Sequence, residues 1–238
     1  PLRLQPAEFA KFATALAISK LMSTYGFDLS KWNDFASACA IIMLPMIFIV
    51  GQKETGSALV YFAFFLMLYR EGMSGSFLFT GVAMIIYFII GIRYAEPTIW
   101  DIPTSVGHFS VLLMVQIFTS ALVWVYCKDS KTAKTIFGYS VGITIGSLLF
   151  AEYVIPFDIV WVQLILSAGM VGYLLYLGLE QRIRQYFFIM LFALGSITFF
   201  YSADYVLNHV MQPHQRVRIN VLLGLEQDLA GAGYNVHQ

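Results

Sequence analysis

The class of this protein is decided by apolar segments such as FDIVWVQLILSAGMVGYLLYLG, which runs from Phe157 to Gly178 and contains one charged residue, Asp158. About eight such segments, most of them near 20 residues long, follow one another along the 238 residues. Hydrophobic residues make up 59% of the chain, charged residues 12%, and the mean hydropathy is +0.73. So few charges cannot cover the surface of a soluble domain, whereas ~20 apolar helical residues cross the hydrocarbon core of a bilayer. The pattern predicts an all-α, polytopic integral membrane protein.

The predicted spans are joined by short polar connections that carry most of the charge. We place the spans at residues 8–25, 35–51, 56–70, 76–93, 107–127, 135–151, 157–178 and 186–206. Lysine and arginine concentrate in the connections 26–34, 70–75, 127–134 and 180–185, whereas those at 52–55, 93–107 and 152–158 hold only Lys53 and Arg93. The positive-inside rule therefore places the first set in the cytoplasm and residues 208–238 outside it.

The overall composition excludes several classes of function. The chain contains 14 lysine and arginine residues and 14 aspartate and glutamate residues. It therefore has no excess of positive charge that would indicate binding to nucleic acid. Cys39 and Cys127 form neither a CxxC pair nor a disulfide framework, and the four histidines lack metal-ligand spacing.

The chain opens on Pro1 without a signal peptide and stops at Gln238 within a polar segment. These ends predict an internal fragment of a longer protein.

A ridge of small residues marks the sixth predicted span. Gly138, Gly142 and Gly146 recur every four residues, which lets two helices approach closely in lipid. The ridge predicts packing against another helix of the chain, with a dimer interface as the alternative.

Three polar segments interrupt the apolar background, and the first, Leu4–Lys11, precedes the first span. Pro6 suits the first helical turn, where its missing N–H costs nothing. Glu8 and Lys11 are three residues apart, so they share a helix face and can pair. An ion pair that anchors the helix is one interpretation; a charged cavity wall is the other, because ionisable groups in spans face one another or water.

The other two polar segments lie on the predicted outer side. Residues 51–56 form a tight link that is an ordinary turn by spacing alone. The terminal segment carries Arg216 and Arg218, which the positive-inside rule does not explain. Guanidinium groups match phosphate oxygens, so an anionic lipid headgroup is the natural ligand, with a solvated loop as the alternative.

Together these segments resemble the SEDS family of cell-wall polymerases, the RodA/FtsW group. Leu4–Lys11 (LQPAEFAK) is similar to the family's QPSEFAK, and Gln52–Leu59 (QKETGSAL) is similar to its QPDLGTAL. Asp228–Gln238 (DLAGAGYNVHQ) resembles the D-P-x-G-x-G-Y-x-x-x-Q pattern that follows arginines in the family's large extracytoplasmic loop. This ending is more similar to the RodA branch than to the FtsW branch.

The chain departs from the family at single residues and in its number of spans. Glu54 stands where the family has Asp, Lys53 where it has Pro, and Leu229 replaces the Pro after Asp228. The family has two spans between QPDLG and the arginine loop, whereas six are predicted here. We therefore predict a transmembrane helical bundle at 1–207, in which about 76–179 is an insertion of four spans, and the start of an extracytoplasmic loop at 208–238.

The resemblance implies a multi-pass protein of the bacterial inner membrane that acts as a peptidoglycan glycosyltransferase. It would polymerise a disaccharide–peptide carried on undecaprenyl diphosphate (lipid II) during cell elongation and shape maintenance, or during cell division. It would work with membrane lipid and a class B penicillin-binding protein. No cofactor is implied; a divalent cation is compatible with a diphosphate substrate. The chemistry needs a general base and cationic or polar groups for the leaving diphosphate.

The resemblance also assigns roles to individual residues. The family's essential Asp lies in an H-T-D-F segment beyond Gln238, so no catalytic residue is expected here and the fragment alone would be inactive. The implied substrate-binding residues are Arg216, Arg218, Glu8, Lys11, Gln52 and Glu54. The implied structural residues of the loop are Asp228, Gly231, Gly233, Tyr234 and Gln238. A catalytic Asp228 is the alternative to its structural role.

Two other classes of function compete with the enzyme. A transporter or lipid flippase also uses ionisable residues within spans, but it often shows repeated halves, and its sites lie near mid-depth. Here no repeat is found, and the charged groups gather on one side. A non-catalytic scaffold of the wall-synthesis complex is the third interpretation.

Overall fold

The computed structural model describes residues 6–51, 57, 60–99, 102–210, 217 and 219–220. Within them, eight helices of nine residues or more follow one another, which confirms the all-α prediction. In chain order they are α1 Pro6–Met22, α2 Trp32–Gly51, α3 Phe62–Arg70, α4 Gly75–Arg93, α5 Val106–Leu122, α6 Ser130–Tyr153, α7 Val160–Gln181 and α8 Arg184–Tyr205. Two π-helical turns, Val123–Cys127 and Val206–Val210, continue α5 and α8.

Six of these helices are long and apolar enough to cross a membrane. They correspond to the ranges Trp32–Ile49, Gly75–Arg93, Val106–Cys127, Ser130–Tyr153, Val160–Gln181 and Arg184–His209. Many of their large apolar side chains are exposed, among them Ile165, which is 72% exposed, and Phe188, which is 69% exposed. In water this surface would be unfavourable, whereas in a bilayer it faces lipid. The prediction of a polytopic membrane protein is thus confirmed.

Two of the predicted spans do not contain a full-length membrane helix among the residues that the structure describes. The segment predicted at 56–70 contains α3, whose 9 residues extend only about 14 Å, less than half of a hydrocarbon core. The segment predicted at 8–25 forms the 17-residue α1, which holds Glu8, Lys11 and Lys20 and ends at Met22. The length and charge of these two helices, rather than their position, separate them from the other six.

The chain divides into two compact units, Pro1–Val82 and Ala83–Gln238. In the first unit, α1 packs against α2. Its core includes Ile18, Ile42, Tyr61 and Leu68, all fully buried. Burial of each such side chain contributes on the order of 2 kcal/mol where water is the alternative solvent.

The second unit is organised around α5, which packs against α6, α7 and α8. Val111 and Val115 of α5 are fully buried, together with Leu174 of α7 and Tyr186 of α8. This arrangement brings polar side chains of α5, α6 and α7 into the interior of the unit.

A two-stranded antiparallel sheet, which the sequence did not predict, precedes α5. Strand β1 comprises Thr98–Ile99 and β2 comprises Ile102–Ser105, with Thr98 opposite Ser105 and Ile99 opposite Ile102. The sheet lies in the predicted outer connection at 93–107. It leads directly into the N-terminus of α5, where the Ser105 hydroxyl caps the helix by accepting from the His108 N–H.

The glycine ridge of α6 does not pack as the sequence predicted. A Cβ added at Gly138, Gly142 or Gly146 would meet no atom of the described chain within 4 Å. The prediction of helix packing within the chain is therefore wrong for the described residues. The buried residues of α6, such as Ser140 and Thr144, lie on another face of the helix. The dimer interface stays a prediction.

Candidate functional site

The predicted ion pair at the start of α1 is present. Lys11 Nζ lies 2.6 Å from Glu8 Oε1. The Lys11 side chain is 19% exposed and the Glu8 side chain 50% exposed, so the pair lies at the edge of the first unit. Glu8 stands in the first turn of α1, where the helix dipole favours an acidic group. Helical spacing alone brings the two side chains together, whereas their role in substrate binding stays a prediction.

The other predicted site residues lie outside the described part of the chain. For substrate binding these are Gln52, Glu54, Arg216 and Arg218. For the structural loop they are Asp228, Gly231, Gly233, Tyr234 and Gln238. Their roles therefore stay predictions.

The sequence did not predict an amide network in the interior of the second unit. Gln116 Nε2 donates to Gln163 Oε1 at 2.8 Å and to Ser167 Oγ at 3.1 Å. Gln163 Nε2 donates to Thr144 Oγ1 at 2.7 Å, and both glutamines are fully buried. The network joins α5, α6 and α7 at residues that sit within apolar spans. In lipid, such side chains either bond across helices or stay unsatisfied, which makes this network a joint between helices.

We expect Gln163→Leu to lower the unfolding free energy by about 1–2 kcal/mol, because the substitution removes acceptor and donor groups that Gln116 and Thr144 use. The double variant Gln116→Leu/Gln163→Leu should lose less than the sum of the two single variants, since both ends of the bond are then apolar. Thermal unfolding in detergent measures both. The exposed Gln181→Leu serves as the control and should leave stability unchanged. Strictly additive single losses would contradict the bond.

A second polar cluster holds one end of the second unit together. Thr104 Oγ1 of β2 donates to Asp158 Oδ1 at 3.1 Å and accepts from the Ile159 N–H at 2.9 Å. The Val160 N–H also donates to Asp158 Oδ1, at 3.0 Å. These bonds satisfy N–H groups at the start of α7 and fix the Asp158 carboxylate against the sheet. These bonds therefore hold the Asp158 carboxylate in place.

At the opposite end of the unit, Asp129 has a structural role. Its carboxylate caps α6, accepting from the Lys131 N–H at 3.1 Å and the Thr132 N–H at 3.0 Å. The Tyr186 hydroxyl also donates to it, at 3.0 Å. The hydrogen bond from the Thr132 hydroxyl is the largest of the effects that lower the pKa of Asp129 below its ordinary value. Asp129 thus joins α6 to α8.

The residues that sequence reasoning missed share one signal, a polar side chain inside or beside an apolar span. Gln116, Gln163 and Asp158 all fit this description. Their spacing along the chain, however, did not indicate that they meet. Among the described residues, no group of three or more histidine, cysteine, aspartate or glutamate side chains could hold a metal ion.

Comparison with known proteins places this geometry in context. Residues 1–99 match the FtsW/RodA/SpoVE family, described as cell cycle proteins. Over 236 residues the chain is 24% identical to a protein named peptidoglycan glycosyltransferase RodA from Treponema pallidum (strain Nichols). That alignment covers 99% of this chain and 44% of the relative, so the chain spans less than half of the relative's length. No solved structure matches the chain.

The family match includes two of the segments on which the resemblance was based, Leu4–Lys11 and Gln52–Leu59. The third, Asp228–Gln238, lies beyond the family match. Six membrane-crossing helices and these relatives identify a multi-pass protein of the bacterial cytoplasmic membrane. The matched N-terminal residues, together with the similarity to RodA along the chain, support the resemblance to the SEDS family, the group of FtsW, RodA and SpoVE.

Proposed function

We propose that the complete protein is a peptidoglycan glycosyltransferase that polymerises a lipid-linked disaccharide–peptide into glycan strands during cell elongation. The observation that carries the proposal is the family match over residues 1–99, which contains the Glu8–Lys11 pair. The name of the Treponema relative agrees with it. The class of relative, rather than any catalytic group among the described residues, supports the reaction type.

The reaction transfers a glycan from undecaprenyl diphosphate to the 4-hydroxyl of an acceptor sugar. A carboxylate would take the proton of the hydroxyl as its oxygen attacks, and cationic groups would stabilise the departing diphosphate. Arg216 and Arg218 suit the diphosphate. Glu8 and Lys11 suit the wall of a polar cavity, because a paired carboxylate and ammonium can line it at lower desolvation cost than either charge alone.

The proposed function involves both the transmembrane bundle and the loop that follows it. We propose that residues 1–207 form the transmembrane bundle, that about 76–179 are additional spans relative to the family, and that 208–238 begin the extracytoplasmic loop. The family match covers residues 1–99, that is, the N-terminal part of the bundle and the first residues of the proposed additional spans. Membrane lipid and a class B penicillin-binding protein are the partners that we propose for this function.

Charge reversal of the Glu8–Lys11 pair tests the proposal. We expect Glu8→Lys and Lys11→Glu each to reduce polymerisation by the complete protein, because like charges then stand at the 2.6 Å contact. The double variant, which restores the pair in reverse, should exceed the product of the single effects by about fivefold. Glycan strands made from purified lipid-linked precursor measure the activity.

The same preparation separates the competing functions. The unmodified protein should form glycan strands in the presence of the precursor alone. Transfer of a fluorescent precursor across proteoliposomes, without any polymer, would replace the proposal with a lipid flippase. Absence of both activities, with retained binding to a penicillin-binding protein, would leave a scaffold. Independent losses for the two reversed variants would show that Glu8 and Lys11 do not act as a pair.

A further inference from the structure

A cavity of about 350 Å³ opens at the end of the second unit that holds β2 and the N-termini of α5 and α7. Its lining includes Ser105, His108, Asp158, Trp161 and Tyr201. All of them lie beyond residue 99, outside the matched family region. The volume falls within the range of small-molecule sites in proteins, about 300–1,000 Å³.

Hydrogen bonds fix the orientation of the His108 ring. The single proton of the Ser105 hydroxyl points to carbonyl oxygens, at 2.8 Å from Ala95 O and 3.4 Å from Tyr94 O. His108 Nδ1 lies 3.1 Å from the same Ser105 Oγ. Since carbonyls only accept, Ser105 donates to them and Nδ1 carries the proton that reaches Oγ. In the neutral ring, Nε2 is therefore an acceptor.

The His108 Nε2 acceptor faces a second hydrogen-bond acceptor, the Asp204 carboxylate. His108 Nε2 lies 3.9 Å from Asp204 Oδ2, which is too far for a hydrogen bond, and with a neutral imidazole and an ionised carboxylate neither atom has a proton to share. Asn208 Nδ2 donates to the other carboxylate oxygen, Oδ1, at 2.9 Å. A donor placed between Nε2 and Oδ2 would satisfy both.

The cavity also contains a donor that lacks an acceptor. The Tyr201 hydroxyl is buried and has no hydrogen-bond partner among the residues that the structure describes. The Asp158 carboxylate, unlike the Tyr201 hydroxyl, has hydrogen-bond partners, because its Oδ1 accepts from Thr104 and from the Val160 N–H. The cavity thus offers acceptors at His108 and Asp158 and an unused donor at Tyr201.

The ligand must therefore both donate and accept hydrogen bonds. An ammonium group only donates and a phosphate dianion only accepts, whereas a hydroxyl does both. One wall is apolar and aromatic: the indole of Trp161, in the first turn of α7, is 68% exposed. A pyranose ring combines several hydroxyls with an apolar C–H face that covers an aromatic ring.

From this combination we infer that the cavity is a saccharide-binding site, in which a sugar ring stacks on Trp161 and its hydroxyls bond His108, Asp158 and Tyr201. The inference rests on the proposed function for the identity of the sugar, an acetylated amino sugar of a lipid-linked precursor or glycan strand. The site would hold glycan through residues that lie beyond the matched family region.

Binding of a soluble tetrasaccharide of β-1,4-linked N-acetylglucosamine tests the inference without polymerisation. The complete protein is reconstituted in nanodiscs free of glycosidic detergent, and saturation-transfer NMR and titration measure binding. We expect Trp161→Ala and Tyr201→Phe each to weaken binding by about tenfold or more. Trp124→Ala is the matched control, because Trp124 is 63% exposed and lies near the opposite end of α5; it should bind normally.

Each outcome of this experiment either supports or overturns the saccharide-binding site. Tyr201→Phe removes only the hydroxyl, so weaker binding with unchanged thermal stability would support the site. No binding by the unmodified protein, or equal binding by all three variants, would overturn it. Binding of tetramethylammonium at this cavity in place of the tetrasaccharide would also overturn it. Tetrasaccharide binding without polymerisation would refute the proposed function alone, whereas polymerisation without binding would refute the saccharide site alone.

Discussion

Replacing Gly107 with alanine is expected to destabilise the second unit by about 3 kcal/mol, at the upper end of the usual cost of overpacking. A Cβ at this position would lie 2.5 Å from the Gly91 carbonyl oxygen and 2.9 Å from the carbonyl of Tyr94. All of these are backbone atoms, so no side-chain rotation can make room. The Gly107 N–H donates to Tyr94 O at 2.7 Å, which holds the segments in this close approach.

The measurement is thermal unfolding of the complete protein in detergent, followed by the loss of monodisperse material. Gly142→Ala is the matched control, because it also adds one methyl group to a helix but meets no atom within 4 Å. The control should be neutral or slightly stabilised, since alanine has the higher helix propensity. Equal stability of the two variants would mean that α4 and α5 do not approach as closely as described.

Arg218→Ala is expected to abolish polymerisation of the lipid-linked precursor by the complete protein while leaving it folded. A guanidinium can bind two oxygens of a departing diphosphate at once, and removing one such group from a reacting site costs about 10²–10³ in rate. Arg218→Lys should retain part of the activity, because the ammonium keeps the charge without the two-pronged geometry.

The activity assay with purified precursor measures both Arg218 variants, and thermal unfolding checks that they are folded. Arg184→Ala serves as the control, because Arg184 is exposed and lies in a connection that we assign to the cytoplasmic side. It should polymerise normally. Full activity of Arg218→Ala would remove the diphosphate role from this arginine and leave Arg216 as the candidate.

The Glu8–Lys11 pair shows what local sequence can predict about a site. Two residues three positions apart on a helix must lie on one face, whatever the rest of the chain does. The sequence therefore predicted their contact, which is present at 2.6 Å. It did not predict the pairing of Gln116 with Gln163, because those residues are separated by 47 positions and meet only through the packing of α5 on α7.

The glycine ridge shows that a sequence pattern can also predict a helix contact that is absent from the described chain. The spacing of Gly138, Gly142 and Gly146 indicated a packing face, yet this face of α6 has no neighbour in the described chain. Spans of this kind are apolar on every side, so their sequence carries little information about which face is buried. Close approach occurs instead at Gly91 and Gly107, which no repeat marked.

The sequence by itself determined that this is a membrane protein built from helices, and it indicated the family through short motifs. Both are local properties, since ~20 apolar residues cross a bilayer regardless of their neighbours. Only the tertiary structure decided which polar groups meet: Thr104 with Asp158, and His108 with Asp204. These contacts depend on the relative positions of several helices, and those positions are set by the packing of side chains distant in sequence.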